Sequence, residues 1–94
     1  MYARVVRFTD VAPDHMDALL ARVESGGPPE GMPIKGIQIL VDQAQRTAVV
    51  VQLFETAEDM RVGGEMFAAM DASETPGTRV SVDACEIKLE RHLE

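Results

Sequence analysis

The 94-residue chain has no tryptophan, no asparagine, one tyrosine and one cysteine. A lone thiol cannot close an intramolecular disulfide, and no Cys or His spacing matches a zinc site, so neither a disulfide framework nor a structural metal is expected. Cys85 itself is expected to be a buried, inert thiol. Basic residues are few: 9 Lys and Arg stand against 16 Asp and Glu, for a net charge of −7. Nucleic-acid binding is therefore not expected, because phosphate contacts need clustered cations. No apolar run reaches the about 20 residues of a membrane-spanning helix. The opening Met1-Tyr2-Ala3-Arg4-Val5-Val6 has no apolar signal region before structure begins, which predicts a cytoplasmic protein with no membrane partner. Internal repeats and low-complexity segments are absent too, and the length allows one domain, residues 1–94, with one core.

What the chain does have is β-branched residues in two runs. Gly36-Ile37-Gln38-Ile39-Leu40-Val41 and Thr47-Ala48-Val49-Val50-Val51-Gln52-Leu53-Phe54, separated by the polar segment Asp42-Gln43-Ala44-Gln45-Arg46, predict an antiparallel hairpin. The odd positions Ile37, Ile39, Val41, Val49, Val51 and Leu53 are all apolar, and the even side is interrupted only by Gln38 and Gln52. Both faces of such a hairpin need cover. With like parity on one face, Gln38 and Gln52 face each other across the two strands.

Before the hairpin, Tyr2 to Thr9 alternates as a first strand. Pro13 suits the first turn of a helix, Asp14 and Asp17 complement its dipole, and Met16, Leu19, Leu20 and Val23 recur at helical spacing until Ser25, where Gly26-Gly27-Pro28-Pro29 stops it. Pro28 to Pro33 is a loop that crosses an edge or rims a cavity. After the hairpin, Thr56-Ala57-Glu58-Asp59 resembles a capping box opening a helix to about Met70, with Met60, Gly63, Gly64, Phe67 and Met70 as its inward stripe. Each glycine costs such a helix about 1 kcal/mol relative to Ala. Close packing on the sheet and room for a ligand both account for the pair. Ser73 to Thr78 is turn chemistry, Arg79 to Leu89 is a last strand with a bulge or face change near Cys85 and Glu86, and Glu90 to Glu94 is a tail.

Strand, helix, strand, strand, helix, strand in one small domain is the split βαβ order of a ferredoxin-like α+β fold: a four-stranded antiparallel sheet with two helices on one face. The other face is left bare. Burying a large aliphatic side chain is worth about 1.5–3 kcal/mol, so five left uncovered forgo roughly 8–15 kcal/mol, comparable with the net stability of a whole domain. A homodimer packing two such faces together is expected.

Met1-Tyr2-Ala3-Arg4-Val5-Val6-Arg7-Phe8, the hairpin ending in Val51-Gln52-Leu53-Phe54-Glu55-Thr56-Ala57-Glu58-Asp59-Met60, and the βαββαβ order together resemble the antibiotic biosynthesis monooxygenase-like branch of the dimeric α+β barrels over nearly the whole chain. The resemblance implies a dimeric barrel. It also implies a choice of chemistry, because the superfamily holds cofactor-independent monooxygenases of aromatic polyketides or quinols, haem-degrading enzymes, and small proteins with no known activity. Haem degradation is disfavoured. Those relatives are associated with an Asn, a Trp and a ligand His, whereas this chain lacks the first two, and His15 and His92 are expected on a helix surface and in the tail. No cofactor and no metal are expected.

Cofactor-free oxygenation asks for a pocket that excludes water, a group that favours the substrate anion, and polar side chains that orient it. The strands offer Arg4, Arg7, Gln38, Gln52, Asp83 and Glu86. Gln38 and Gln52 either hold a ligand carbonyl or hydroxyl, or bond each other or water at the dimer seam. Arg4 and Arg7 point to opposite faces, so at most one enters a given pocket and the other pairs with Asp83 or Glu86. Tyr2, on the Arg4 side, packs at the strand end or serves as an acid. Met60, Met66 and Met70, with Phe67, line an adaptable pocket or fill the gap left by the glycines. The ligand-binding candidates are Arg4, Gln38, Gln52, Gly64 and Phe67. Two readings follow: a site for a small apolar or aromatic molecule, bound or oxidised without a cofactor, and a non-catalytic dimeric ligand-binding or stress-associated module.

Overall fold

A computed structural model describes residues 1–26, 30–69 and 75–93. Its elements are β1 (Tyr2–Thr9), α1 (Pro13–Ser25), β2 (Gly36–Asp42), β3 (Thr47–Phe54), α2 (Ala57–Ala68) and β4 (Thr78–Glu86). The four strands form one antiparallel sheet in the order β2-β3-β1-β4. This is the ferredoxin-like α+β arrangement that the order of elements predicts.

Register decides what each face carries. Val6 pairs with Val50 and Val82, Arg4 with Gln52 and Ala84, and Ile39 with Val50, so these side chains share one face. Both helices cover that face. Met16 of α1 joins Val6, Phe8, Val11, Ala48 and Val50 in one buried cluster, with Leu19 and Ile39 packed against it, while Gly63 of α2 rests on Phe54. The opposite face carries Val5, Leu40, Val49, Val51 and Leu53, and no described element lies over it; Leu40 is 52% exposed.

The hairpin departs from expectation by one residue, with a large consequence. Asp42 pairs with Thr47, so the connection is four residues, not five. The Asp42 carboxylate accepts from the Gln45 amide N–H at 3.1 Å and from its Nε2 at 2.9 Å, and Arg46 turns the chain in a left-handed conformation with φ 56°. Its carbonyl is fixed by the Val11 N–H at 2.9 Å. Because strand side chains alternate, a one-residue shift swaps faces. Gln38 therefore pairs with Val51 and Gln52 with Ile37, so the two amides lie on opposite faces and do not meet.

Three further expectations are corrected. The irregularity of β4 is not at Cys85 and Glu86: Arg7 pairs with Ser81 but Phe8 with Arg79, which leaves Val80 as the extra residue. The strand ends at Glu86 rather than Leu89, with one more backbone bond from Ile87 N–H to the Met1 carbonyl at 3.0 Å. Cys85 is exposed, because it stands on the bare face of an edge strand. At the entry to β4, Pro76 is buried and its carbonyl accepts the Ala12 N–H at 3.1 Å, which ties the strand to the start of α1. Gly77 beside it has no room for a side chain, since a Cβ would come within 3.1 Å of the Asp10 carbonyl carbon. Met70, Ser73 and Glu74, and part of the loop from Pro28, lie outside the described residues.

Candidate functional site

The second helix is seated close on the sheet at Gly63, and this position builds the site. Thr56 caps α2 by accepting the Asp59 N–H at 3.0 Å, and Glu58 and Asp59 complement the helix dipole in the first turn. Two turns later Gly63 is buried directly on Phe54, where a Cβ would fall 2.7 Å from Phe54 Cζ and 3.4 Å from Met32 Sδ. Only a residue without a side chain allows that approach. The same approach brings Gly64 over Arg4 and carries Phe67, one turn on, above the Arg4 guanidinium.

Arg4 is the centre of the site. It is only 7% exposed, yet no carboxylate of the described residues contacts it. Its Nη1 donates to Gln52 Oε1 at 2.8 Å, and its guanidinium carbon lies 5.5 Å from the centre of the Phe67 ring, a cation–π distance. A Cβ on Gly64 would stand 3.4 Å from Arg4 Nε. Burial, and then the charge of Arg79, push the Arg4 pKa down from its ordinary value. Among the described residues no fully buried side-chain nitrogen or oxygen lacks a partner, so the Arg4 N–H groups that Gln52 does not take are still reachable from outside.

They are reached through a groove of about 400 Å³ between α2 and the β1–β4 pair. Its walls are largely apolar, with Ala57, Met60, Gly64 and Ala68 from the helix and Ala84 from β4, and Arg4 at its base. Arg61 and Glu65 stand at the rim. There Arg61 donates to Glu58 Oε2 through Nε and to Glu65 Oε1 through Nη1, both at 2.9 Å. That hydrogen bonding holds the Glu58 carboxyl below its usual range and raises the Arg61 pKa. The rim cation is thus matched by two carboxylates, whereas Arg4 at the base is matched by none among the described residues.

Of the residues singled out in the sequence, Arg4, Gln52, Gly64 and Phe67 come together here; Gln38 does not, being exposed on the bare face. Arg7 does lie opposite to Arg4, but it has no ion pair with Asp83 or Glu86. Glu86 instead accepts from the Tyr2 hydroxyl at 3.2 Å and pairs with Lys88. His15 and His92 are both exposed. Met60 borders the groove, and no group of three or more His, Cys, Asp or Glu among the described residues is placed to hold a metal. Ala57, Arg61 and Ala68 were not singled out, although with Met60 and Gly64 they recur every three or four residues along a second stripe of α2. Small residues at that spacing were the available signal; Ala84 gave none.

The chain matches no protein-family profile, no curated protein and no solved structure. Its function therefore has to be argued from the groove itself.

Proposed function

We propose that this protein binds a small apolar molecule, preferably aromatic, in the groove between α2 and the sheet, with an oxygen of the ligand held at Arg4. The observation that carries this reading is the buried guanidinium with no carboxylate partner among the described residues, open to an apolar groove. Removing a cation from water costs several kcal/mol unless something compensates for it. Gln52 and Phe67 compensate in part, and a ligand oxygen would supply the remainder. The protein carries a net charge of −7, and the groove places the cationic Arg4 at its base within that acidic molecule.

The functional unit in this reading is a homodimer. Val5, Leu40, Val49, Val51 and Leu53 form a continuous apolar face opposite the helices, and a two-fold pairing of that face would cover it in both copies. Cofactor-independent oxygenation of a phenol or quinol is the catalytic form of the proposal. It draws on the family resemblance and on Arg4, whose charge would favour the substrate anion.

Native mass spectrometry of protein purified from its own host tests both parts. The expected spectrum is a dimer that retains an extra apolar mass, which is lost in Arg4→Met. A monomer at micromolar concentration would overturn the dimer. A dimer that neither retains nor takes up any aromatic compound, and consumes no oxygen with a quinol panel, would overturn the ligand site.

A further inference from the structure

Among the described residues the Arg4 guanidinium hydrogen-bonds only to Gln52, and the side that this leaves has a definite shape. A guanidinium offers two pairs of parallel N–H groups that match the two oxygens of a carboxylate. Nη1 donates to Gln52 at 2.8 Å, while Nε and Nη2, the side-on pair, have no hydrogen-bond partner among the described residues. Phe67 covers one face of the plane from 5.5 Å. Gly64 stands beside Nε, where a Cβ would lie in van der Waals contact at 3.4 Å and occupy space along that edge. Two carboxylates of α2, Glu58 and Glu65, are engaged by Arg61.

We propose that the ligand of this groove is an apolar monocarboxylate, its two oxygens paired side-on with Nε and Nη2 of Arg4 and its hydrocarbon part lying against Ala57, Met60, Ala68 and Ala84. The inference rests on the reading of the groove as a ligand site and narrows it. A phenol or ketone offers one oxygen to the two N–H groups; a carboxylate offers one to each and brings the counter-charge that no described residue supplies to Arg4. In this arrangement Gln52 is a positioning residue that turns the free edge toward the groove, and Gly64 is the opening that admits the acid.

Titration calorimetry on the intact protein with 2-naphthoate and octanoate, each beside its neutral amide and beside 2-naphthol, tests the proposal. Each acid is expected to bind about tenfold or more tightly than its amide, the difference made by a charge-assisted pair. Arg4→Lys keeps the charge but not the fork, and is expected to lose most of that preference. Gly64→Ala is expected to weaken the acids and leave the amides nearly unchanged. If Arg4→Lys does not fold, the Arg4 Nε–H resonance of the wild type gives the same answer by shifting with the acids and not with the amides. Acids and amides bound equally would overturn the carboxylate while leaving the groove as a ligand site, and naphthol bound as tightly as naphthoate would do the same. No binding of any probe would overturn both readings.

Discussion

Under α1, the central strands β1 and β3 present Val6, Phe8, Ala48 and Val50, which close with Val11 and Met16 into a dry apolar cluster. One step along the same strands, under α2, they present Arg4 and Gln52. The two ends of one sheet face are thus covered by opposite chemistry. At the α1 end, ordinary aliphatic burial holds the helix down. At the α2 end, a glycine fitted over Phe54 sets the height of the helix, and the space that remains is a groove over a buried cation. Burial at one end supplies the stability that lets the other end keep a charge away from water.

Phe8→Ala removes a buried aromatic from the cluster and is expected to cost about 3–5 kcal/mol, a large share of the stability of a domain this small. Urea denaturation of the variant measures it. A loss below about 1 kcal/mol would mean that the α1 end is not the anchor.

At the other end the two glycines separate two roles. Gly63→Ala places a methyl 2.7 Å from Phe54 Cζ and is expected to cost about 1–3 kcal/mol through overpacking, despite the better helix propensity of Ala. Gly64→Ala meets Arg4 at ordinary contact distance and is expected to gain up to about 1 kcal/mol. Neighbouring positions with opposite signs, read from paired thermal melts, would confirm that one glycine seats the helix and the other keeps the groove open. Equal changes would merge the roles.

Converting the polar end to the chemistry of the dry end sharpens the comparison further. Gln52→Leu takes from Arg4 its one hydrogen-bond partner among the described residues and is expected to cost about 1–3 kcal/mol. Arg4→Met in the same background removes the charge that was left alone, and the double variant is expected to be more stable than Gln52→Leu. A double-mutant cycle in denaturant measures the coupling. Additive effects would show that the pair contributes to neither fold nor site as a unit.

Most of the architecture was legible because it rests on periodicity: the alternation of Tyr2 to Thr9, the turn residues around the hairpin, and the Thr56 cap all act locally. Arg4, Gln52, Gly64 and Phe67 were legible as odd residues on otherwise apolar elements. Gln38 was misplaced because Asp42 can end a strand or begin a turn. Only the closing pair with Thr47 decides between these, and that single residue inverts a face. Cys85 was misjudged for a related reason, since burial depends on whether a strand lies at an edge, and strand order is a long-range property. Room above the sheet was one of two accounts of Gly63-Gly64, but the walls at Ala57, Arg61, Ala68 and Ala84 could not be read, because they come together only through the height of α2 above the sheet.

The smallest effect belongs to the rim. Arg61 hydrogen-bonds Glu58, whose folded-state pKa therefore lies below its unfolded value. A depressed carboxyl pKa contributes stability that is present above the unfolded value and is lost as the pH falls through the folded one. The pair is exposed, so solvent and salt weaken it, in contrast to the buried Arg4, which has no carboxylate partner among the described residues. Glu58→Gln is expected to lower the urea midpoint slightly at neutral pH and low salt. That difference should close as the pH is taken below the ordinary Glu range and also on adding molar salt. A difference that survived both treatments would mean that the rim is held by packing, and that the contrast between a screened cation outside and an unscreened one inside does not describe this helix.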